Sequence, residues 1–108
     1  MKNLEMIHKL SVLHCVYQLI ASADGSIDDE RDKAAIDLTL SELGLTASYT
    51  WESSLQLNPH DCFFHVSGFS KQDKQLLHSL LFKIAEMGGS YKYRMTCAKH
   101  ILQLCDAY

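Results

Sequence analysis

The sequence concentrates its oxygen-bearing side chains around its first glycine, Gly25. Between residues 24 and 30 the chain carries four carboxylates and one hydroxyl, from Asp24, Ser26, Asp28, Asp29 and Glu30. Hard oxygen ligands of this kind are the ones that Ca²⁺, Mg²⁺ and Mn²⁺ prefer. An EF-hand is excluded, because that loop needs glycine five positions after its first aspartate and glutamate eleven positions after it, where this chain has Asp29 and Ala35.

The same carboxylates also have structural roles available to them. Gly25 can supply the positive φ of a turn, and Asp24 can accept a hydrogen bond within that turn. Acidic residues in the first turn of the following helix would cap its free N–H groups and complement its dipole. From the residues alone, a cation site and a helix cap are both open interpretations.

Softer ligands form one local group, at His60, Asp61, Cys62 and His65. One further ligand would complete tetrahedral zinc, but the spacing matches no zinc motif, and the apolar run around Cys62 favours a buried thiol. No nucleophile is paired with a histidine in a catalytic pattern and no glycine-rich phosphate loop occurs, so enzyme activity is not expected. His8 and His14 fall beside a polar strip, which predicts exposed imidazoles without a catalytic role.

The elements that must position these side chains are helices. Apolar residues recur at helical spacing over a wide face from Leu4 to Ala23, which predicts a central helix. Asp28, Asn58-Pro59 and Ser70 are predicted helix starts, and Gly44 and Gly88-Gly89 are predicted helix ends. The predicted helices cover residues 4–23, 28–43, 49–57, a short stretch from 59, 71–87 and 91–108.

Length and composition predict one all-α domain over residues 1–108, a compact bundle of five to six helices. The chain has 108 residues, 47% hydrophobic and 21% charged, and no segment alternates in the manner of a strand. A net charge of −3 disfavours nucleic acid as a partner, and no apolar stretch is long enough for membrane insertion. Without a secretory leader, the chain is predicted to be cytoplasmic, with its four cysteines as free thiols.

An internal repeat relates the two halves of the chain at an offset of 64 residues. The segment 20–27 matches 84–91, after which Ala34, Leu38 and Leu40 match Ala98, Leu102 and Leu104. A helix, a glycine turn and a second helix therefore occur twice. The copies differ in charge, because the first has Asp24, Asp28 and Glu30 where the second has Gly88, Lys92 and Arg94.

The Ala23-Asp24-Gly25 turn, the acidic helix start after it, the middle helices around Pro59 and the second turn resemble the TerB-like family. That family contains tellurite-resistance and related stress proteins and a helical domain of a J-protein co-chaperone. Its turns are typically acidic and are thought to gather metal ions, so the resemblance implies Asp24, Asp28 and Glu30 as ligands. This chain departs from the pattern at Arg31, where the family often has glutamate, and in its second turn, which has no acids.

This departure suggests that a basic side chain replaces the metal. We hypothesise that Lys92 or Arg94 lies close enough to the acidic segment to act as its counter-charge, in which case no cofactor is required. The alternative is a bound divalent cation, Ca²⁺, Mg²⁺ or Mn²⁺, at Asp24, Asp28 and Glu30.

Charge is also distributed unevenly along the chain. Residues 24–42 hold seven acids and two bases, whereas residues 71–99 hold six bases and two acids. This asymmetry favours docking onto a protein partner or head-to-tail pairing in a homodimer, although a merely solvated face is the alternative. With the resemblance, it predicts a non-enzymatic interaction or sensor module of a bacterial stress-response system, acting through segment 24–37. The predicted interaction surface consists of Asp24, Asp28, Asp29, Glu30 and Asp32.

Overall fold

In the described part of the chain, five helices follow one another. The computed structural model describes residues 1–24, 30–45, 52–87 and 91–108, and within these ranges it contains helices and turns but no strand. The helices are α1 (Met6–Asp24), α2 (Glu30–Leu43), α3 (Pro59–Ser67), α4 (Lys71–Met87) and α5 (Tyr91–Leu104). Residues 52–54 are also helical, inside the predicted short helix 49–57. The predicted all-α bundle is confirmed.

Helix α1 is the centre of the bundle, as its wide apolar face predicts. It contacts α2, α3, α4 and α5. Six apolar residues of its middle turns have no accessible surface: Val12, Leu13, Cys15, Val16, Leu19 and Ile20. A helix that is apolar nearly all round has to be enclosed by its neighbours, and α2, α3, α4 and α5 provide that enclosure.

The starts of α3 and α4 are capped by the side chains that the sequence indicates. The Asn58 side chain accepts a hydrogen bond from the His60 backbone N–H at 2.8 Å, with Pro59 at the first helical position. The Ser70 hydroxyl oxygen accepts from the Asp73 backbone N–H at 3.1 Å. Both predicted starts are confirmed, whereas Asp28 and Gly88-Gly89 lie outside the described residues.

Helix α2 ends in a Schellman motif at Gly44. The Gly44 N–H donates to the Ser41 carbonyl oxygen at 3.1 Å, and the Leu45 N–H donates to the Leu40 carbonyl oxygen at 2.8 Å. Gly44 itself has a φ of +70°, in the left-handed region that costs an L side chain energy. The predicted helix end at Gly44 is therefore confirmed, and its backbone explains why glycine stands there.

We expect Gly44→Ala to lower the free energy of unfolding by about 1 kcal/mol, because alanine has to adopt the left-handed conformation. Gly68→Ala is the matched control, since Gly68 is also exposed and follows a helix but has a φ of −87°. A methyl group at Gly68 would lie 3.5 Å from its nearest atom, the His65 carbonyl oxygen, which is an ordinary contact. Urea denaturation followed by circular dichroism measures both variants, and equal losses would contradict the assignment.

The two helix pairs α1–α2 and α4–α5 correspond to the predicted internal repeat. At the 64-residue offset, the first helices share buried positions, with Leu13, Val16 and Ile20 matching Leu77, Leu80 and Ile84. The second helices do not follow this offset, because Ala34 is exposed whereas Ala98 is buried. Their buried faces coincide when the offset is one residue shorter, which pairs Ala35 with Ala98. The predicted matches in the second helices are therefore wrong by one position.

Candidate functional site

The acidic segment is only partly within the described residues. Asp24 is the last residue of α1, but its side chain is outside the described part, and Asp28 and Asp29 lie there entirely. Glu30 is the first residue of α2 and its side chain is exposed. The predicted cation site at Asp24, Asp28 and Glu30 therefore stays a prediction, with one of its three carboxylates located.

Asp32, predicted to belong to an interaction surface, is instead buried in an ion pair with Arg94. The Arg94 Nη2 atom donates to Asp32 Oδ1 at 2.9 Å, joining the first turn of α2 to the first turn of α5. The side chains of Asp32 and Arg94 are only 1% and 6% exposed. The carboxylate of Asp32 is thus unavailable to an external partner, which corrects that part of the predicted surface.

This ion pair is incompletely hydrogen-bonded in the described part of the chain. Asp32 Oδ2 and Arg94 Nε are both buried, and neither has a partner there. A buried carboxylate is tolerated only beside a compensating charge, so the guanidinium at 2.9 Å is what allows Asp32 to occupy the interior. Of the two predicted counter-charges, Arg94 contacts an acid of α2, while Lys92 is exposed.

The remaining acids of α2 are exposed, and together with two small residues they form a surface that we call the α2 acidic face: Glu30, Ala34, Asp37, Ser41 and Glu42. Glu30, Ala34, Asp37 and Ser41 lie opposite the buried stripe of Ala35, Thr39 and Leu43, whereas Glu42 lies at the side of α2, at the cleft between α2 and α4. Within the described residues, none of the three carboxylates forms a salt bridge. Among the described side chains of α2, Lys33 is the one base, and it is exposed. Three carboxylates therefore face a single positive charge, and the face has a net negative charge.

The candidate zinc ligands of α3 differ in their burial. Cys62 is buried in the core as predicted, whereas His60 and Asp61 are exposed. His65 is half-buried and its ring lies 5.6 Å from that of His8 on α1. No group of three or more candidate ligands that could hold a metal ion occurs among the described residues. This arrangement gives no support to a zinc site.

His14 is buried, so the prediction of an exposed imidazole at this position is wrong. Only 5% of it is exposed, and Gln18 Nε2 lies 3.0 Å from His14 Nδ1. A hydrogen bond between these two side chains holds the imidazole against Gln18, one turn further along α1. Burial lowers the pKa of His14, with hydrogen bonds to the Leu57 backbone and to its own backbone acting in the opposite direction.

We expect His14 to make the protein less stable in acid. Its folded pKa lies below the ordinary value of 6.5, so as the pH falls through 6.5 the unfolded chain takes up a proton first. Stability is therefore lost between 6.5 and the lower folded pKa, and is retained above 6.5. When the pH is lowered from neutral into this window, the urea midpoint of His14→Gln should fall less than that of the wild type. The exposed His100→Gln variant is the control and should follow the wild-type curve.

Three cysteines from distant parts of the chain are buried together. Cys15 lies on α1, Cys62 on α3, and Cys105 directly follows α5. The Sγ atoms of Cys15 and Cys105 are 3.8 Å apart. The hydrogen bond with Cys105, together with burial, raises the pKa of Cys15, and burial raises that of Cys62. Cys15 and Cys62 are therefore poor nucleophiles while they stay buried.

A cleft of about 350 Å³ lies beside α1 and α5, lined by Gln18, Thr96, Cys97, His100 and Ile101. Cys97 is half-buried and His100 is exposed, so a thiol and an imidazole border the same cleft. Cys97 and His100 have the residue types that a cysteine–histidine enzyme uses. Among the described residues, however, no contact orients His100 towards the thiol. The prediction that the chain is not an enzyme stays a prediction.

Comparison with known proteins finds no match to any family model, to any curated protein or to any solved structure. The TerB-like resemblance therefore stays a prediction. Among the described residues, none of the helices has the length and apolar character needed to cross a membrane.

Proposed function

We propose that this chain is a non-enzymatic helical module that binds a protein partner through the α2 acidic face. The proposal rests on how α2 distributes its acids. Asp32 turns inwards to Arg94, while Glu30, Asp37 and Glu42 are exposed without a salt bridge in the described residues. The face thus keeps a negative potential that internal pairing does not cancel, and a basic partner surface would complement it.

The shape of this face also suits a protein partner. Its centre carries Ala34 and Ser41, whose short side chains allow another backbone to approach closely, and its carboxylates flank them. From Glu30 to Glu42 the face extends for about 18 Å along α2, at a helical rise of about 1.5 Å per residue. This length suits a basic helix or extended segment. By its sequence resemblance, the module would act as a sensor in a bacterial stress-response system.

Neutralising the face tests the proposal. Glu30→Gln, Asp37→Asn and Glu42→Gln together remove three exposed charges without changing side-chain size. We expect a protein that co-purifies with the tagged wild type from its native host to be lost from this variant, and its retention in the wild type to weaken with added salt. Quantitative mass spectrometry of the co-purified proteins measures both effects.

A matched variant controls for the change in net charge. Glu52→Gln, Asp61→Asn and Glu86→Gln also neutralise three exposed acids, but none of them lies on α2. This variant should retain the partner. Equal retention by both triple variants, or equal loss from both, would contradict a specific role for α2.

A second copy of the chain is an alternative partner. Helix α5 has no acids and exposes Lys92 and Lys99, which could pair with the α2 acidic face of another molecule. A homodimer of this kind should dissociate as the salt concentration rises, because its contacts are exposed ion pairs. Sedimentation equilibrium at low and high salt distinguishes this dimer from a complex with a different protein.

Divalent-cation binding at Asp24, Asp28 and Glu30 is the second candidate function. The observation that favours it is the exposed carboxylate of Glu30 at the start of α2, which forms no salt bridge with any described side chain. Ca²⁺, Mg²⁺ or Mn²⁺ at a hundred times its dissociation constant should stabilise the fold by about 2.7 kcal/mol. A thermal shift that Asp24→Asn abolishes would support this function, and no shift with any of the three ions would exclude it.

A further inference from the structure

Cys15 and Cys105 are placed as a disulfide pair would be before oxidation. They are 90 residues apart in sequence, yet their sulfur atoms lie 3.8 Å from each other, and both residues have no accessible surface. A disulfide bond is about 2.05 Å long, so small side-chain rotations towards each other would bring the sulfurs to bonding distance. The two residues come from different elements, α1 and the segment that follows α5.

We propose that Cys15 and Cys105 form an intramolecular disulfide by exchange with a low-molecular-weight disulfide such as oxidised glutathione. First, the Cys105 thiolate attacks one sulfur of the glutathione disulfide, which forms a mixed disulfide and releases one glutathione thiolate. The Cys15 thiolate then attacks the Cys105 sulfur, which releases the second glutathione. The two cysteine protons pass through solvent to the two glutathione thiolates, so the protein loses two electrons and the oxidised glutathione gains them.

The structure favours Cys105 as the first thiol to react. It lies in the short segment 105–108, where Asp106 and Tyr108 are exposed and Ala107 is the other buried residue. The segment is held by three backbone hydrogen bonds, which the N–H groups of Cys105, Asp106 and Ala107 donate to the carbonyl oxygens of Ile101, Gln103 and Leu102 in that order. Opening this one turn exposes Cys105, whereas Cys15 lies in the middle of the central helix α1.

The disulfide bond would attach segment 105–108 covalently to helix α1. Segment 105–108 borders a cleft that is lined by Lys71, Lys74, Gln75, His78 and Tyr108 among others. In the reduced protein this border depends on the three hydrogen bonds, on the ion pair between Asp106 and Lys74, and on the packing of Ala107. In the oxidised protein the border is joined covalently to the central helix, so local opening of the segment is suppressed.

Peptide mapping of the native protein tests the proposal directly. Trypsin places each of the four cysteines in a separate peptide, because Lys and Arg residues divide the chain into 10–31, 34–71, 95–99 and 100–108 among others. After incubation with oxidised glutathione and alkylation of free thiols, we expect peptide 10–31 to be linked to peptide 100–108. Cys97 is half-buried and has no sulfur partner in the described residues, so its peptide should carry glutathione instead.

A sample treated in denaturant gives the reference for pairing without a fold. In that sample, all pairings of the four cysteines should occur, whereas the native protein should give the pairing of Cys15 with Cys105. The variants Cys62→Ala and Cys97→Ala should retain this link, and the oxidised wild type should melt at least about 5 °C higher than the reduced form. A native pattern identical to the denatured one, a link from Cys15 to Cys62, or no link while Cys97 is modified would each overturn the proposal.

Discussion

Replacing Arg94 with methionine should lower the free energy of unfolding by about 3–5 kcal/mol, the largest effect that we expect from a single charged residue. Methionine fills much of the volume of the arginine stem but removes the charge. Asp32 would then remain as a carboxylate with 1% exposure and no base at 2.9 Å. The loss arises mainly from that uncompensated buried charge, because one partner of the pair has been removed while the other stays desolvated.

Two further variants separate this mechanism from a general sensitivity of α5. Lys92→Met changes a residue of the same helix that is exposed, and its effect should stay within about 0.5 kcal/mol. The double variant Asp32→Leu with Arg94→Met replaces both charges by apolar groups and should recover most of the stability that Arg94→Met loses. Urea denaturation of the wild type, the single variants Arg94→Met and Asp32→Leu, and the double variant forms a double-mutant cycle, with Lys92→Met as the control. If Arg94→Met lowers the free energy of unfolding no more than Lys92→Met does, the ion pair does not stabilise the fold.

The Asp32–Arg94 pair also shows where reasoning from sequence is incomplete. Charged residues are rarely fully buried, so the acidic segment as a whole was assigned to the surface. The position of Asp32 carries a contrary signal, because it precedes Ala35, Thr39 and Leu43 at helical spacing and thus continues their buried stripe. The periodicity predicts that Asp32 points inwards. The identity of its partner, 62 residues away, required the arrangement of α2 against α5.

The helices themselves were more predictable because their signals are local. Asn58-Pro59, Ser70 and Gly44 each act within one turn of the chain. As expected, the first two begin helices and Gly44 ends one. The burial of His14 has no such local signal. The apolar face of α1 predicts a central helix, but which neighbours also cover its polar positions depends on the tertiary packing.

The same distinction applies to the candidate site. The exposed positions of the α2 acidic face follow from the helical period once the buried stripe is known. The approach of Cys15 to Cys105 does not follow from any local pattern, since it depends on how α5 packs against α1. Sequence reasoning could identify both as plausible buried thiols, but their mutual distance is a tertiary property.

Leu77→Ala should lower the free energy of unfolding by about 2.7–5 kcal/mol, the range typical of a buried leucine truncated to alanine. Leu77 on α4 has no accessible surface and is among the largest fully buried side chains. It is also the repeat counterpart of Leu13 in α1, so it occupies the equivalent core position of the second helix pair. The loss combines the transfer of three carbon atoms from the core with the cavity that they leave.

The adjacent residue, Leu76, provides a control of identical chemistry on the same helix. Its side chain is 40% exposed and lines an open cleft between α2 and α4, so water can occupy the space that alanine vacates. Leu76→Ala should therefore cost about 1 kcal/mol or less. Since both substitutions have the same helix propensity change, the difference between them measures burial alone. Equal losses in urea denaturation would mean that α4 does not present its Leu77 side to the core, and the arrangement of the second helix pair would be wrong.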